Sequence, residues 1–303
     1  MDDVSALPAS LLPEGPEEHL YRGLRLRSRV AAQRLLSGRH QSRRLGESVE
    51  FAQHRPYTPG DEIRRIDWKV YGRSDRLVVR QHEHSAQLDV LIAVDVSGSM
   101  GYAGSPGGMS KLEMACRCGA VLAWLAGRQQ DAVGWCGLGA VLQGYWPAQR
   151  RAASWKEGLV RTLERGAGGP LDLGACVGEL ARRVPGRALI VLLSDFLFDV
   201  KGLSEAMGLW SARRCEVAAI QVLDPLEIDP SSLGASWLQG LEGEAGGLLW
   251  GAEEQTQYRR RLDEHQERLR SVARRFRADW LTLRTDAPMH RSLAGWLAGR
   301  GGG

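Results

Sequence analysis

Two short apolar runs, each ending in an aspartate, constrain the fold of this chain more than any other feature. Residues 88–94 lead into Asp95, and residues 188–193 lead into Ser194 and Asp195. Apolar runs of this length are typical of strands that are covered on both faces, as in a parallel sheet flanked by helices. Both aspartates would then lie at the carboxyl ends of strands, the edge at which such sheets bind their ligands.

The pattern beyond residue 86 predicts an α/β domain with a doubly wound, mainly parallel sheet over residues 86–300. Strands and helices alternate there, and a glycine-rich loop at residues 98–108 separates the first strand from the first helix. The predicted helices are residues 110–130, 153–163, 173–183, 202–213, 253–277 and 288–297. The further predicted strands are residues 132–138 and 140–146, which form a hairpin about Gly139, and residues 216–222 and 279–283.

The first 85 residues have a different pattern. Residues 1–16 are rich in proline, serine and acidic groups without a period, which predicts a disordered leader. Residues 17–85 are predicted to form an N-terminal amphipathic helix, at 17–36, and a small β-rich appendage, at 46–84. In the appendage, a strand would place Ile66 and Trp68 on its buried face.

The charge of the chain is too small to indicate nucleic-acid binding by itself. The formal net charge is +4 over 303 residues. Eight arginines lie between residues 22 and 44, which leaves a nucleic-acid interface open as an alternative. Among residues 21–44 Tyr21 is the only Phe, Tyr or Trp, so a solvated helix face is favoured.

The cysteines and the N-terminus predict a cytoplasmic protein. Five cysteines, an odd number, are dispersed through apolar segments, which favours reduced thiols over disulfides. The N-terminus lacks the basic and then apolar pattern of a signal peptide. No apolar stretch approaches the roughly 18 residues that a membrane span needs.

A carboxylate and two hydroxyls lie close together where the first strand meets its loop, in Asp95, Ser97 and Ser99. Oxygen ligands of this kind suit a hard divalent cation such as Mg²⁺, Mn²⁺ or Ca²⁺. Because so few of these ligands are negatively charged, the cation would stay electrophilic enough to accept a carboxylate from another molecule. The segment therefore predicts a metal-dependent contact with a partner.

The same residues, followed by a glycine-rich loop and a second strand ending in Ser-Asp, resemble the metal-ion-dependent adhesion site of von Willebrand factor type A domains. Residues 49–57 and 59–68 closely resemble the conserved core of the bacterial family called domain of unknown function 58. That resemblance extends from about residue 35 to residue 297. It implies a cytoplasmic or membrane-tethered type A domain whose gene commonly neighbours that of a MoxR-type AAA+ ATPase. The implied partners are such an ATPase and a client protein, and no reaction is implied.

Carried over residue by residue, the resemblance implies a metal site whose ligands, directly or through water, are Asp95, Ser97, Ser99 and Asp195. The threonine that type A sites place in a loop after the second main helix is absent, because Leu171 stands where it is expected. Asp172 would bind the metal instead, which would tighten cation binding and weaken the pull on a partner carboxylate. The alternative is that the site has lost its ion.

A second surface, beside the turn at Pro59 and Gly60, is predicted to dock a partner. Its residues are Arg55, Tyr57, Arg64 and Arg65. Structural packing of the appendage is the alternative explanation for these side chains.

A serine hydrolase is the main alternative from another class of function. Ser99 lies in a segment that differs from a nucleophile elbow only at its first glycine. The order Ser, Asp, His is kept by His290 with any one of Asp195, Asp224 and Asp286. An elbow needs a sharp turn from strand to helix, whereas a long loop intervenes here. A non-enzymatic interaction module is therefore the favoured function.

Overall fold

The structure is a computed structural model, and it describes residue 26 and residues 50–58, 66–83, 88–105, 107–232, 236–239 and 247–300. The chain divides into two compact units: residues 31–87 form the smaller one, and residues 1–30 with 88–303 form the larger one. The predicted leader lies outside the described residues, and so does the predicted helix at residues 17–36 apart from Leu26. Leu26 is buried in the core of the larger unit.

The smaller unit contains an antiparallel strand pair and a short helix. Strand β1 (Glu50–Pro56) pairs with strand β2 (Val78–Glu83), and helix α1 (Trp68–Ser74) lies between them in the chain. A β-bulge between Phe51 and Gln53 interrupts the ladder. The strand pair lies within residues 46–84, for which the sequence predicts a small β-rich appendage.

The predicted strand through Ile66 and Trp68 is wrong. Ile66 is buried, but Trp68 begins α1 and is 58% exposed. The carboxylate of Asp67 accepts hydrogen bonds from the backbone N–H groups of Lys69 and Val70. This N-cap satisfies donors that a helix start leaves free, so a helix begins where the alternation of side chains favoured a strand.

The elements of the larger unit alternate as predicted. Its strands are β3 (Asp89–Asp95), β4 (Ala132–Leu138), β5 (Leu142–Gln149), β6 (Leu189–Ser194), β7 (Glu216–Leu223), β8 (Ser236–Gln239), β9 (Gly247–Trp250) and β10 (Asp279–Arg284). Its helices are α2 (Lys111–Arg128), α3 (Ala153–Arg165), α4 (Leu173–Arg183), α5 (Val200–Ala212), α6 (Pro225–Ile228), α7 (Ala252–Arg275) and α8 (Met289–Gly299). The predicted bounds differ most at β5, which ends at Gln149 rather than residue 146.

The larger unit is built on a six-stranded sheet with the order β10-β7-β6-β3-β4-β5. Neighbouring strands pair in parallel except β4 and β5, which form the predicted hairpin about Gly139. From β3 the chain first builds toward β5, then returns to β6 and builds toward β10. This confirms the predicted doubly wound α/β fold. Strand order reverses between β3 and β6, and the crevice at the carboxyl ends of two such strands is where these folds bind ligands.

Both faces of the central strands are buried, which explains why the two runs are apolar throughout. In β3, Val90, Ile92 and Val94 pack in one core cluster with residues of α2. Leu91 and Ala93 pack in a second cluster with residues of α4 and α5. The strand that ends in the first aspartate is therefore held by close packing on each face.

Helices α2 and α3 approach the sheet closely at Trp135 of β4. A Cβ atom at Gly119 of α2 would lie 2.8 Å from the Trp135 side chain, and one at Gly158 of α3 would lie 2.7 Å from it. Trp135 Nε1 also donates a hydrogen bond to Thr162 Oγ1, at 2.9 Å. These contacts fix α2, which begins at Lys111, against the sheet.

Among the described helices, none combines the length and the apolar character needed to cross a bilayer. The five cysteines are unpaired, and those other than Cys215 are buried. Burial raises the pKa of Cys118 to about 12, so its thiol stays protonated.

Candidate functional site

Three neighbouring strands of the sheet end at buried aspartates. Asp95 is the last residue of β3, Asp195 follows β6, and Asp224 follows β7. Asp95 and Asp195 are each 1% exposed, and Asp224 is 4% exposed. The structure therefore brings the two aspartates of the apolar runs to the strand-order reversal.

The carboxylate of Asp95 is hydrogen-bonded by neutral donors. Its Oδ1 accepts from the backbone N–H of Ser97 at 2.9 Å, and its Oδ2 accepts from the hydroxyl of Ser194 at 2.6 Å. Burial, and then the charge of Asp195, raise the pKa of Asp95 to about 6. Within the described ranges Asp95 forms no ion pair, so its buried negative charge is not compensated.

The hydroxyls of Ser97 and Ser99 lie side by side. Their Oγ atoms are 3.2 Å apart, because the short 3₁₀ turn that follows Ser97 (Gly98–Gly101) brings Ser99 back beside it. Ser97 is buried and Ser99 is half-buried. One carboxylate and two hydroxyls thus converge at the end of β3, and Ser99 is the member of this group nearest to solvent.

The loop that contains Leu171 lies beside the loop after β3. Gly98 N–H donates to the carbonyl of Gly169, and Gly168 N–H donates to the carbonyl of Val96, both at 2.8 Å. Leu171 itself packs against the second core cluster and supplies no side-chain oxygen.

Asp172 is the N-cap of α4. Its Oδ1 accepts a hydrogen bond from Ala175 N–H at 2.9 Å, and its side chain is exposed. Capping engages one of its two oxygens, so Asp172 would have only Oδ2 fully free for a metal. Its assignment as a ligand stays a prediction.

Asp195 is bound in a different way from Asp95. Its Oδ2 pairs with the ammonium of Lys111 at 2.7 Å, and its Oδ1 accepts from Leu197 N–H at 3.0 Å. The next residue, Phe196, is buried with a φ of 58°, which is unusual for a side chain of this size. His265 of α7 holds the Phe196 carbonyl through Nε2, at 2.7 Å. Both oxygens of Asp195 therefore have partners already.

Lys111 is a site residue that the sequence analysis missed. Its side chain is 0% exposed, and its Nζ lies 2.7 Å from Asp195 and 2.5 Å from Glu227. Burial disfavours the ammonium form, but the charges of Asp195 and Glu227 outweigh it, so the pKa of Lys111 is raised. The only signal in the sequence is a lysine at the start of a predicted helix, where such residues are usually solvated.

Asp224 ties the glycine-rich loop to β7. Its Oδ2 accepts from Gly104 N–H at 3.1 Å and from the Thr285 hydroxyl at 2.8 Å. A Cβ atom at Gly104 would lie 2.2 Å from the Asp224 carboxylate, so this approach requires glycine. Asp224 N–H in turn donates to Glu227 Oε2 at 2.9 Å, which links the loop to the Lys111 cluster.

The donors at the end of β3 fit a hard divalent cation. Asp95, Ser97 and Ser99 offer oxygen only, and the Asp95 charge lacks a compensating partner in the described part of the chain. No cluster of three or more His, Cys, Asp or Glu side chains suited to a metal occurs among the described residues. A cation here would therefore depend on the serine hydroxyls and on one carboxylate.

The residues of the hydrolase alternative have other partners. The Ser99 hydroxyl pairs with Ser97, and Asp286 forms a two-pronged ion pair with Arg284 at 2.7 and 2.9 Å. His290 lies in the first turn of α8. The arrangement gives Ser99 no aligned base among these contacts.

The predicted docking residues fall in the smaller unit. Arg55 lies in β1 opposite Val79, and Tyr57 is half-buried, with its N–H donating to Leu77 O at 3.0 Å. Arg64 and Arg65 lie outside the described residues. The part of all four residues in docking stays a prediction.

Comparison with known proteins identifies the family of this chain. The model of the family "Protein of unknown function DUF58" matches residues 53–272, more than half of the chain, which confirms the predicted resemblance. An uncharacterized protein of Mycobacterium tuberculosis is 28% identical over 69% of this chain. The match covers 65% of that relative's own length, slightly less than two thirds.

The solved structures that match this chain have low sequence identity and low TM-scores. The conserved hypothetical protein BatB from Bacteroides thetaiotaomicron is 14% identical, with a TM-score of 0.45 over 71% of this chain and 100% of that one. The VWA domain of SpRpn10 is 10% identical, with a TM-score of 0.39 over 70% of this chain and 95% of that one. Similarities this weak support no inference about what this chain binds.

Proposed function

This chain belongs to the DUF58 family, and we propose that it is a non-enzymatic protein-interaction module that binds a partner through a divalent cation at the end of β3. The observation that carries this proposal is the buried carboxylate of Asp95, which has neutral hydrogen-bond donors beside two paired serine hydroxyls. A buried charge without compensation is costly, and such groups concentrate at functional sites.

The residues that would hold the cation are Asp95, Ser97 and Ser99. Ser194 and the backbone of Ser97 orient the Asp95 carboxylate, and the short turn after Ser97 sets the spacing of the two hydroxyls. When bound, the cation would supply an open coordination position that accepts an acidic side chain from the partner. Asp172 remains a predicted additional ligand, whereas both oxygens of Asp195, the other predicted ligand, are engaged by Lys111 and by the backbone N–H of Leu197.

The partner class follows from the family resemblance alone. We propose a MoxR-type AAA+ ATPase and a client protein, with this module positioning the client while the ATPase supplies energy. Arg55, Tyr57, Arg64 and Arg65 are proposed to contribute to that interface. Mg²⁺ is the proposed ion, with Mn²⁺ or Ca²⁺ as substitutes.

The metal is tested by calorimetric titration of the full chain with MnCl₂. We expect wild type to bind Mn²⁺ and Asp95→Asn to lose at least about tenfold in affinity, since one carboxylate is the main charged ligand. Asp131→Asn is the matched control, because Asp131 is also buried but precedes β4, at the opposite edge of the sheet. Wild type that binds neither Mn²⁺ nor Mg²⁺ would overturn the proposal.

The partner is tested by capture of the candidate ATPase from the native cell, with and without a chelator. We expect wild type to retain it only without chelator, and Asp95→Asn to lose it in both conditions. If the same partners survive both treatments, the metal-bridge mechanism is wrong and a metal-independent scaffold is the better interpretation.

A further inference from the structure

We propose that Lys111 sets the charge of the cation site by keeping Asp195 out of the metal's ligand set. The inference rests on the proposed function, because it concerns the same site. It makes Lys111 a positioning residue that acts through Asp195.

The ammonium group of Lys111 is buried and is held in place by two carboxylates. Its side chain is fully buried, and its ammonium lies between Asp195, at 2.7 Å, and Glu227, at 2.5 Å. The other oxygen of Asp195 is engaged by Leu197 N–H. A cation at Asp95 would therefore have to displace the ammonium to use Oδ2 of Asp195, and would otherwise share Oδ1 with a backbone donor.

The position of the Lys111 ammonium is set both by the start of its own helix, α2, and by the contacts that hold Glu227. Lys111 is the first residue of α2, directly after the Ser110 N-cap, whose hydroxyl accepts from Glu113 N–H in a capping box. Glu227 is held by Asp224 N–H at 2.9 Å, and Tyr258 of α7 donates to the Glu227 carbonyl at 2.9 Å. The cluster is therefore locked to three helices and to the end of β7.

The consequence lies in the number of anionic ligands. With Asp195 paired to Lys111, the described residues at the end of β3 offer a cation one carboxylate without an ion-pair partner, that of Asp95. Cation affinity in oxygen sites is tuned by the count of charged ligands. A site with one carboxylate binds the cation weakly on its own and gains most when a partner supplies the second, which makes binding of metal and partner interdependent.

A charge-matched pair of substitutions tests this. Lys111→Met with Glu227→Gln removes one positive and one negative charge, so the net charge of the cluster is unchanged while Asp195 is released. We expect the Mn²⁺ affinity measured by calorimetry to rise by about tenfold in this double variant. Adding Asp195→Asn in that background should return the affinity to the wild-type value.

Asp195→Asn alone gives the opposite control, because Lys111 then stays paired with Glu227. We expect this single variant to lose less than about threefold in Mn²⁺ affinity, since Asp195 acts only through its charge. If the double variant does not fold, as judged by circular dichroism, this single variant decides. A loss as large as that of Asp95→Asn would mean that Asp195 is a direct ligand, and an unchanged affinity in a folded double variant would also overturn the inference.

The outcomes separate this inference from the proposed function. If wild type binds neither Mn²⁺ nor Mg²⁺ and the double variant binds Mn²⁺, Lys111 controls the site and the proposed function is wrong. If wild type binds and the double variant is no tighter, the proposed function stands and Lys111 is structural. If neither binds, both are overturned.

Discussion

Asp95 and Asp195 lie at the ends of neighbouring strands at the same edge of one sheet, yet their carboxylates have different kinds of partner, neutral donors for Asp95 and a charged ammonium for Asp195. The Asp195 carboxylate has a buried ammonium at 2.7 Å, whereas the Asp95 carboxylate has a hydroxyl at 2.6 Å and a backbone N–H at 2.9 Å. In a buried ion pair the two charges mainly compensate each other. Asp195 therefore has a structural role, because it links the end of β6 to the start of α2. An uncompensated carboxylate next to two hydroxyls is suited to a ligand that brings positive charge.

Removing the ammonium group of Lys111, the ion-pair partner of Asp195, is expected to lower the stability of the protein more than any of the other substitutions. Lys111→Met leaves Asp195 and Glu227 buried without their partner, and we expect a loss of about 3–5 kcal/mol in the free energy of unfolding. Urea denaturation of the metal-free chain measures it. Lys201→Met is the control, since Lys201 is exposed and 3.9 Å from Glu205, and should leave stability nearly unchanged. A loss below about 1 kcal/mol would mean that the ion pairs of Lys111 stabilise the protein no more than a surface salt bridge does.

A buried carboxylate outside the site tests whether an uncompensated charge is costly in itself. Asp131 accepts from Leu88 N–H at 3.0 Å, and burial raises the pKa of Asp131 to about 6. Because the folded state holds this proton more tightly than the unfolded state, stability should fall as the pH rises from about 4 to about 6.

Asp131→Asn removes that charge and keeps the acceptor oxygen. We expect a gain of up to about 3 kcal/mol at pH 8 that disappears below pH 4, from the difference between the two pKa values. Thermal unfolding across this pH range measures it, and the gain should not respond to Mn²⁺. A change in stability that is the same at all pH values would contradict the explanation.

The hydroxyl that binds Asp95 is expected to matter next. Ser194→Ala removes a donor to a buried carboxylate, and we expect a loss of about 2 kcal/mol in the free energy of unfolding at pH 8. Ser154→Ala is the matched control, because the Ser154 hydroxyl bonds the Pro147 carbonyl on the surface. Equal losses in the two variants, measured by urea denaturation, would mean that the hydrogen bond from Ser194 to Asp95 stabilises the protein no more than a surface hydrogen bond does.

The smallest expected effect concerns the backbone beside Asp195. His265→Ala removes the side chain that holds the Phe196 carbonyl at 2.7 Å, and we expect a loss of about 1 kcal/mol. Amide hydrogen exchange of Leu197 should also become faster, because that amide is bonded to Asp195. Arg260→Ala, on the exposed face of the same helix, should change neither. Unchanged exchange in His265→Ala would mean that α7 does not hold this loop.

The parts of the fold that the sequence predicted are those with local causes. The two apolar runs are covered on both faces, so burial is visible in the residues themselves, and the helix bounds follow from periodicity and caps. Trp68 was misplaced because one N-cap, Asp67, outweighed a weak alternation. Asp172 was a predicted metal ligand, and the structure adds that it also caps α4, a second use that any aspartate before a helix allows.

The sequence by itself determined the doubly wound sheet and the position of Asp95, Ser97 and Ser99 at the carboxyl ends of its strands, because strand, turn and helix patterns are read from adjacent residues. Only the tertiary structure decided which charge Asp195 would meet. Lys111 lies 84 residues before Asp195 and 116 before Glu227 in the chain, so no local pattern marks their contact. The packing of α2 against the sheet brings them together, and that same packing gives two similar aspartates different chemistry.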